Sequence, residues 1–188
     1  MRVIAGDFKG RRLLAPKGGG VRPTPERVKE AVFSMLQPYL AGAVCLDLFA
    51  GTGALGIEAL SRGASRVYFC DSAAESIAVL RQNLDACRVA PGRAVVLAAD
   101  WRSAYTNLTE KCNLVFIDAP YGMCVYYSHI LETLAAGRAL QEGALVVVER
   151  DAGKGGYALP EGFEIVRGKR YGSVGVDLIV CAGAGEET

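Results

Sequence analysis

The hydrophobic positions of the chain fall into continuous runs, and five of these runs end at an acidic residue. The terminal acids are Asp47, Asp71, Asp100, Asp118 and Glu149. Runs of β-branched and aromatic residues without polar alternation are typical of strands buried on both faces of a parallel sheet. Ligands of such sheets bind outside the carboxyl ends of the strands. The acids are therefore predicted to line one edge as a mostly negative pocket, which favours a cationic ligand.

Helical patterns separate these runs. The sequence predicts helices near residues 54–62, 73–87 and 126–139. An earlier amphipathic helix is predicted to follow an N-cap at Thr24, with Pro25 at its first position, and to cover the sheet edge. Strands that alternate with helices indicate a doubly wound α/β sheet.

The two ends of the chain differ from this alternating part. Residues 163–166 and 174–180 face each other across a Gly-rich turn and suggest a closing antiparallel hairpin. We expect a basic N-terminal segment at residues 1–25, a main domain at 26–182 and a flexible tail at 183–188.

Length and composition limit the class of protein. At 188 residues with 51% hydrophobic content, the chain can form one domain with a full core. No apolar stretch approaches the roughly 20 residues of a membrane span, and the charged start lacks the apolar centre of a signal peptide. The six cysteines form no C-x-x-C pair and are expected to be reduced thiols, so a cytoplasmic location is predicted. A single histidine, His129, excludes a histidine-based metal cluster, and no metal is expected.

Charge is distributed unevenly along the chain. Residues 1–29 contain eight basic and two acidic residues, a net charge of +6, whereas the whole chain carries +1. The remaining residues therefore sum to about −5. A basic arm beside an acidic body is a marked asymmetry of charge.

A glycine-rich motif follows the first acidic run. Gly51, Gly53 and Gly56 form a G-x-G-x-x-G pattern after a predicted strand, and Asp71 stands 20 residues beyond Gly51. The glycines permit a tight turn and close approach of a ligand, and the carboxylate can hold ribose hydroxyls. These features alone leave open whether the ligand is a dinucleotide or another adenosine cofactor.

Electrostatics separates the two ligands. A dinucleotide would place its pyrophosphate at this turn, where a carboxylate about 6 Å away costs on the order of 3 kcal/mol at an effective dielectric constant near 20. S-adenosylmethionine has no phosphate and carries sulfonium and ammonium groups, so Asp47 and its neighbours favour it over NAD. The predicted cofactor residues are Asp47, Phe49, Ala50, Gly51, Gly53, Asp71, Ser72, Asp100 and Trp101. Asp71 is expected to hold the ribose and Asp100 to accept a hydrogen bond from the adenine amino group.

The fourth acid begins the sequence Asp118-Ala119-Pro120-Tyr121, which resembles the D/N-P-P-Y/F motif of methyltransferases that modify exocyclic amino groups of nucleobases. An aryl amine is a poor nucleophile because its lone pair is delocalised into the ring. The Asp118 carboxylate and the Ala119 carbonyl can accept both N–H bonds, which favours a tetrahedral nitrogen. Pro120 stiffens the turn and Tyr121 can stack on an extruded base. Ala119 replaces the usual proline, but its carbonyl is retained, so activity is expected to persist.

Residues 2 to about 180 resemble the bacterial RsmD-type 16S ribosomal RNA (guanine-N2) methyltransferases. The matching segments are residues 2–6, 10–11, 22–33 and 47–59. The resemblance implies a class I S-adenosylmethionine-dependent methyltransferase fold, Rossmann-like, with a seven-stranded, mostly parallel sheet. It also implies methyl transfer to a guanine N2 amine, with 16S rRNA or the assembling small ribosomal subunit as partner and no membrane.

The basic head of the chain agrees with an RNA substrate. Arg11, Arg12, Arg22 and Arg27 are suited to phosphate contacts, which position RNA without reading its sequence. Three other functions stay open at this point. They are amine methylation elsewhere (adenine N6 in DNA or RNA, or a glutamine side chain), a non-catalytic ribosome-assembly factor with the same fold, and an NAD oxidoreductase.

Overall fold

The computed structural model describes residues 1–16, 25–120, 122–154 and 156–182. In these residues the chain forms one seven-stranded sheet with the strand order β3-β2-β1-β4-β5-β7-β6. The strands are β1 (Val44–Asp47), β2 (Arg66–Asp71), β3 (Ala94–Ala98), β4 (Cys112–Ile117), β5 (Leu140–Asp151), β6 (Phe163–Tyr171) and β7 (Val174–Cys181). The helices are α1 (Glu26–Leu40), α2 (Ala54–Ser61), α3 (Ala74–Ala86) and α4 (Tyr127–Ala136).

This architecture confirms the predicted fold class. Strands β1 to β5 pair in parallel, and β7 inserts antiparallel between β5 and β6 to close the sheet as a hairpin. Helices α1 to α3 pack on one face, while α4 and a 3₁₀ segment at Trp101–Asn107 cover the other. Both faces of the central strands are therefore buried, which is why their sequences are continuously apolar.

Several predicted features fall outside the described residues. These are the N-cap Thr24, the phosphate-binding candidate Arg22, the stacking residue Tyr121 and the tail at 183–188.

The acidic strand ends are arranged largely as predicted, with two differences. Strand β3 ends at Ala98, so Asp100 lies two residues beyond it and not at the strand end. Strand β5 runs through Glu149 to Asp151, because its antiparallel ladder with β7 continues to that residue. The extra pairing with β7 is a tertiary feature that the apolar run of β5 does not reveal.

The first helix differs from its prediction in start and in place. It begins at Glu26, and Pro25 is the extended cap residue with φ −54° and ψ 136°, so Pro25 is not the first helical position. The helix covers a sheet face and not the sheet edge, since the Phe33 and Phe116 rings lie 5.7 Å apart between centroids. The apolar stripe of α1 fits the face of the central strands, whereas the edges are formed by β3 and β6.

The N-terminal segment packs against the helices of this same face. Arg2 and Arg12 form an isolated antiparallel β-bridge. Val3, Phe8 and Leu13 are buried in the core cluster that α1, α2 and α3 share. The segment is therefore held by hydrophobic contacts despite its high charge.

A buried ion cluster anchors this segment. Glu58 on α2 is fully buried and accepts hydrogen bonds from the main-chain N–H groups of Ile4 (2.8 Å) and Ala5 (3.0 Å). Its carboxylate also pairs with Lys29 Nζ at 3.1 Å and Arg62 Nε at 2.8 Å. These contacts lower the pKa of Glu58 against the opposing effect of burial. One carboxylate thus joins α1, α2 and the N-terminal segment.

No helix in the described part of the chain is long and apolar enough to cross a membrane. Cys45, Cys70, Cys87, Cys112 and Cys181 are free thiols, and the first four are buried. Burial raises the pKa of Cys70 and of Cys112 to about 12, so these thiols are protonated near neutral pH and serve as small apolar core residues.

Candidate active site

The glycine motif forms the loop between β1 and the start of α2. Gly53 has φ +80°, and a Cβ there would lie 2.4 Å from Leu80 Cδ1. At Gly56 a Cβ would lie 2.3 Å from the ring of Phe69, so this glycine allows α2 to approach β2. Gly51 has φ +51° and open space above it, since its Cβ would meet nothing closer than 4.0 Å. The loop is thus closely packed at Gly53 and Gly56 and open at Gly51.

Asp71 at the end of β2 holds this loop in place. Its Oδ2 accepts a hydrogen bond from Gly51 N–H at 2.8 Å, and its Oδ1 accepts one from Ala73 N–H at 2.8 Å. A carboxylate has about four acceptor positions. The ribose contact expected of the partly exposed Asp71 is compatible with both bonds and stays a prediction.

Asp47 is turned inward and is almost fully buried. Its Oδ2 accepts a hydrogen bond from Gly56 N–H at 2.9 Å, which satisfies one of the free donors in the first turn of α2. Burial raises the pKa of Asp47 to about 7; the Gly56 bond opposes this rise, and the charges of Asp118 and Asp71 add to it. Near neutral pH Asp47 therefore carries only part of a charge. The predicted repulsion of a pyrophosphate rests correspondingly more on Asp71 and Asp118.

Asp100 and Trp101 stand at the start of the 3₁₀ segment that follows β3. Asp100 is exposed and caps this segment, with Oδ1 accepting hydrogen bonds from the N–H of Arg102 at 3.0 Å and from its guanidinium at 3.1 Å. Trp101 is buried, with the Arg102 guanidinium 4.6 Å above its ring and His129 at its edge. Asp100 is thus accessible for the predicted adenine contact, whereas Trp101 packs mainly as a core residue. His129 is exposed on α4, as expected for a helix-surface residue.

The other predicted cofactor residues lie in the same loops. Ala50 is buried and donates its N–H to the Cys70 carbonyl at 2.9 Å, which joins the glycine loop to β2. Phe49 is half-buried beside it, and Ser72 is exposed directly after Asp71.

The catalytic candidates follow β4, the neighbour of β1 on the other side from β2. Asp118 is partly exposed, Ala119 is buried, and Pro120 is exposed. The Pro120 carbonyl accepts a hydrogen bond from Met123 N–H at 3.1 Å, which closes a turn after the motif. The strand order brings Asp118 to the carboxyl ends of the parallel strands, where the glycine loop also lies.

The predicted RNA-contacting arginines occupy different environments. Arg12 and Arg27 are exposed, and Arg27 stands in the first turn of α1. Arg11 donates from Nη1 to the carbonyl of Ala86, the last residue of α3, at 2.9 Å. A cation is favoured at a helix C-terminus, so Arg11 has a structural contact that the sequence did not predict.

One residue outside the predicted site links the N-terminal segment to the glycine loop. Asn83 on α3 is fully buried; its Oδ1 accepts from Leu14 N–H at 2.8 Å, and its Nδ2 donates to the carbonyls of Leu14 at 3.1 Å and Thr52 at 2.9 Å. It therefore ties the N-terminal segment to the glycine loop. An amide on the apolar stripe of α3, three residues after Leu80, is the signal that could have revealed it.

The chain is similar to known proteins over nearly its whole length. The family model described as "Conserved hypothetical protein 95" matches residues 1–180. The chain is 34% identical over 188 residues to "Ribosomal RNA small subunit methyltransferase D" of Escherichia coli strain K12, covering 99% of this chain and 92% of the relative. The protein of the same name from Haemophilus influenzae is 33% identical over 183 residues, covering 95% of this chain and 92% of the relative.

Solved structures show the same architecture. The yhhF structure from Escherichia coli superposes with a TM-score of 0.86 at 31% identity, covering 97% of this chain and 99% of that chain. The crystal structure of SMU.776 complexed with SAH has a TM-score of 0.69 at 15% identity, covering 86% of this chain and 50% of that chain. The second likeness is one of fold alone.

Proposed function

The chain belongs to the family described as "Conserved hypothetical protein 95", and on this premise we propose that it transfers a methyl group from S-adenosylmethionine to the N2 amine of a guanine in 16S ribosomal RNA. The observation that carries the proposal is that Asp118 and Ala119 directly follow β4, at the edge that also holds the glycine loop and Asp71. The Escherichia coli relative is named a ribosomal RNA small subunit methyltransferase. The substrate is free 16S RNA or the assembling small subunit, in the cytoplasm.

The residues at the edge fit S-adenosylmethionine, which supplies a methyl group activated on a positively charged sulfur. The space above Gly51 is open, so a ligand can approach the main chain of the loop there. Asp71 and Asp100 are accessible and acidic, and they hold the ribose and the adenine amino group. Gly51 leaves room for the methionine part, and Gly53, where a side chain would overlap Leu80, keeps the loop close to α3.

Asp118 and Ala119 prepare the amine for attack. The carboxylate of Asp118 accepts one N–H of the guanine amine and the carbonyl of Ala119 accepts the other, so the nitrogen lone pair is withdrawn from conjugation with the ring. After transfer the nitrogen loses one proton, for which Asp118 is the adjacent acceptor. Pro120 fixes the turn and Tyr121 stacks on the base. No separate general base is required.

The basic N-terminal segment holds the RNA backbone. In this proposal residues 1–25 contact RNA and residues 26–182 carry the methyltransferase site. Arg11, Arg12, Arg22 and Arg27 supply phosphate contacts. The exposure of Arg12 and Arg27 supports this role.

The test is methyl transfer by the purified protein with an Asp118→Ala variant. Labelled S-adenosylmethionine is supplied with free 16S RNA and, separately, with an assembling small-subunit particle, and the methylated nucleosides are separated. We expect N2-methylguanosine from the unmodified protein and a loss of turnover of about 10²- to 10³-fold in the variant, the scale of losing one key polar contact to the reacting group. Cofactor affinity should change by no more than a few-fold. Glu142→Ala, which removes an exposed acid at the opposite end of β5, is the matched control and should retain full activity.

Methylation of another amine and a non-catalytic assembly role each predict a different result. Label in N6-methyladenosine would assign the same chemistry to another amine, and label in protein would indicate a glutamine substrate. No binding of S-adenosylmethionine at millimolar concentration would favour the assembly factor. Full turnover by Asp118→Ala with tight cofactor binding would falsify the assigned mechanism.

A further inference from the structure

A second group of cations lies on β6, far from the N-terminal arm in sequence. Three of the four residues from Arg167 to Arg170 on β6 are basic, and all three side chains are exposed. Strand β6 is an edge strand, and its last residue, Tyr171, pairs with Val174 of β7. Val174 in turn pairs with Asp151 at the carboxyl end of β5. The end of β6 therefore lies on the same side of the sheet as the carboxyl ends of the parallel strands, where the candidate active site is located.

The register assigns these cations to faces of the sheet. Arg167 pairs with Leu178 and Lys169 with Val176, and both partners belong to the core cluster beneath α1. Directly paired residues of antiparallel strands share a face, so Arg167 and Lys169 lie on the α1 face. Arg170 lies on the other face and donates from Nε to the Gly172 carbonyl at 2.8 Å, which braces the β6–β7 turn.

Neither Arg167 nor Lys169 has an ion-pair partner among the described residues. Charge on an edge strand can serve simply to block strand pairing between molecules. That role needs charge on the strand but no nearby cations on other elements. Two like charges on one face, both unneutralised, indicate instead a surface suited to a polyanion.

The turn at the end of β6 lies beside the start of α1. A Cβ on Gly172, in the β6–β7 turn, would lie 3.9 Å from Nη2 of Arg27. Glu26, the residue before Arg27, pairs with Arg2 at 3.1 Å, and the main chain of Arg2 forms an antiparallel β-bridge with that of Arg12. We name the set Arg12, Arg27, Arg167 and Lys169 the basic band.

We propose that the basic band binds the phosphate backbone of the RNA substrate, with Arg167 and Lys169 of β6 forming its second half. This inference rests on the proposed function and extends it to a surface outside the N-terminal segment. Strand β6 is three strands from β4 in the sheet order, which is roughly 14 Å at the usual spacing. RNA whose target base enters at Asp118 can therefore reach β6 within a few nucleotides. The acids at the carboxyl ends of the parallel strands repel phosphates, and the basic band beside them attracts the phosphates.

The experiment measures RNA affinity against salt concentration for the unmodified full-length protein and for an Arg167→Gln/Lys169→Gln double variant. Glutamine keeps a long polar side chain on the edge strand and removes only the charge. The probe is in vitro transcribed 16S RNA, with binding followed at several salt concentrations. We expect affinity about tenfold weaker at low salt and a salt slope reduced by about 1 to 2, as two lost phosphate contacts imply. Cofactor affinity and the free energy of unfolding should be unchanged.

The matched control is Lys111→Gln, an exposed cation beside the amino end of β4 at the opposite edge of the sheet. It should leave affinity and slope unchanged. A double variant with the slope and affinity of the unmodified protein overturns the inference even if methyl transfer by the unmodified protein upholds the proposed function. Weakened binding to the assembling particle but not to free RNA also overturns it, because the surface would then contact a ribosomal protein. If the unmodified protein methylates no RNA yet the double variant loses salt-dependent binding, the proposed function fails and the RNA surface stands.

Discussion

At the scale of single residues, Asp47 shows how one acid serves the fold and the site together. Its position after β1 could be predicted, but its burial and its bond to Gly56 could not. Removing a carboxylate from water disfavours its ionised form, and the nearby Asp118 and Asp71 add to this effect. The result is a carboxyl group whose pKa lies at about 7. A group that titrates there makes the stability of the glycine loop depend on pH.

The Asp47→Asn variant tests this dependence. In the unfolded chain the carboxyl ionises near pH 4, whereas in the folded protein it ionises near 7. Between these values the folded state holds a proton that the unfolded state has released, so the contribution of Asp47 to stability falls as pH rises from 4 to 7. The amide keeps an acceptor for Gly56 and does not titrate.

We therefore expect the free energy of unfolding of the unmodified protein, minus that of Asp47→Asn, to decrease by up to about 1.4 kcal/mol per pH unit across this window. Above pH 7 the difference should become constant. Denaturant unfolding at half-unit pH steps measures it. Parallel pH profiles for the two proteins would show that the pKa of Asp47 is not raised.

At the scale of elements, α3 connects the N-terminal segment to the cofactor loop. Its buried amide, Asn83, makes three hydrogen bonds to the main chain of Leu14 and Thr52. The loop itself is packed against the same helix, because a side chain at Gly53 would overlap Leu80. One face of α3 therefore supports both the loop that receives the cofactor and the end of the segment that contacts RNA.

Replacing Asn83 by Ala should weaken both elements. The change leaves partly buried main-chain groups of Leu14 and Thr52 without these partners, which costs about 1 to 2 kcal/mol of stability. We expect the affinity for S-adenosylmethionine to fall several-fold because the Thr52 carbonyl is no longer held. Calorimetric titration with cofactor and denaturant unfolding provide the two measurements.

The neighbouring Gln82→Ala is the control for this variant, since Gln82 is an exposed amide on the same helix. It should change stability by less than about 0.5 kcal/mol and leave cofactor affinity intact. Equal effects of the two substitutions would contradict a specific role for Asn83.

At the scale of the whole molecule, a single buried charge cluster joins segments distant in sequence. Glu58 lies between Lys29 on α1 and the main chain of residues 4 and 5, and Arg62 completes its neutralisation. Burial lowers the pKa of Lys29 against the attraction of Glu58. Such a cluster tolerates the loss of a partner poorly, because the remaining charge stays buried.

Glu58→Gln should therefore destabilise the protein strongly. The neutral amide leaves the buried Lys29 ammonium without its ion-pair partner, at a cost of about 3 to 5 kcal/mol. Residues 1–14 should also become accessible to trypsin, since their anchoring bonds weaken. Combining Glu58→Gln with Lys29→Met should cost less than the sum of the single changes.

Glu26→Gln is the comparison at a solvated site, because the Arg2–Glu26 pair is largely exposed. Its loss should cost at most about 1 kcal/mol and leave the N-terminal segment resistant to trypsin. Similar losses of stability in the two variants would argue against a structural role for the buried cluster.

Much of the fold and part of the site could be predicted from local patterns. Continuous apolar runs predicted the parallel strands, and the Gly51 to Gly56 spacing predicted the loop. Asp118 could be singled out because its three following residues form a recognisable motif. Arg167 and Lys169 could not, because their relation to Arg27 depends on how β6 pairs with β7 and where α1 starts.

By itself, the sequence determined the strand–helix alternation, the acids at or directly after the ends of β1, β2 and β4, and the basic bias of the head. Each of these depends on neighbouring residues or on composition. Only the tertiary structure decided that Asp47 faces inward, that Asn83 joins the loop to the N-terminal segment and that Glu58 is the common anchor. It also decided that α1 covers a face and not an edge of the sheet. The physical reason is that burial and hydrogen-bond partners depend on which distant segments come into contact. Local periodicity carries no information about those contacts.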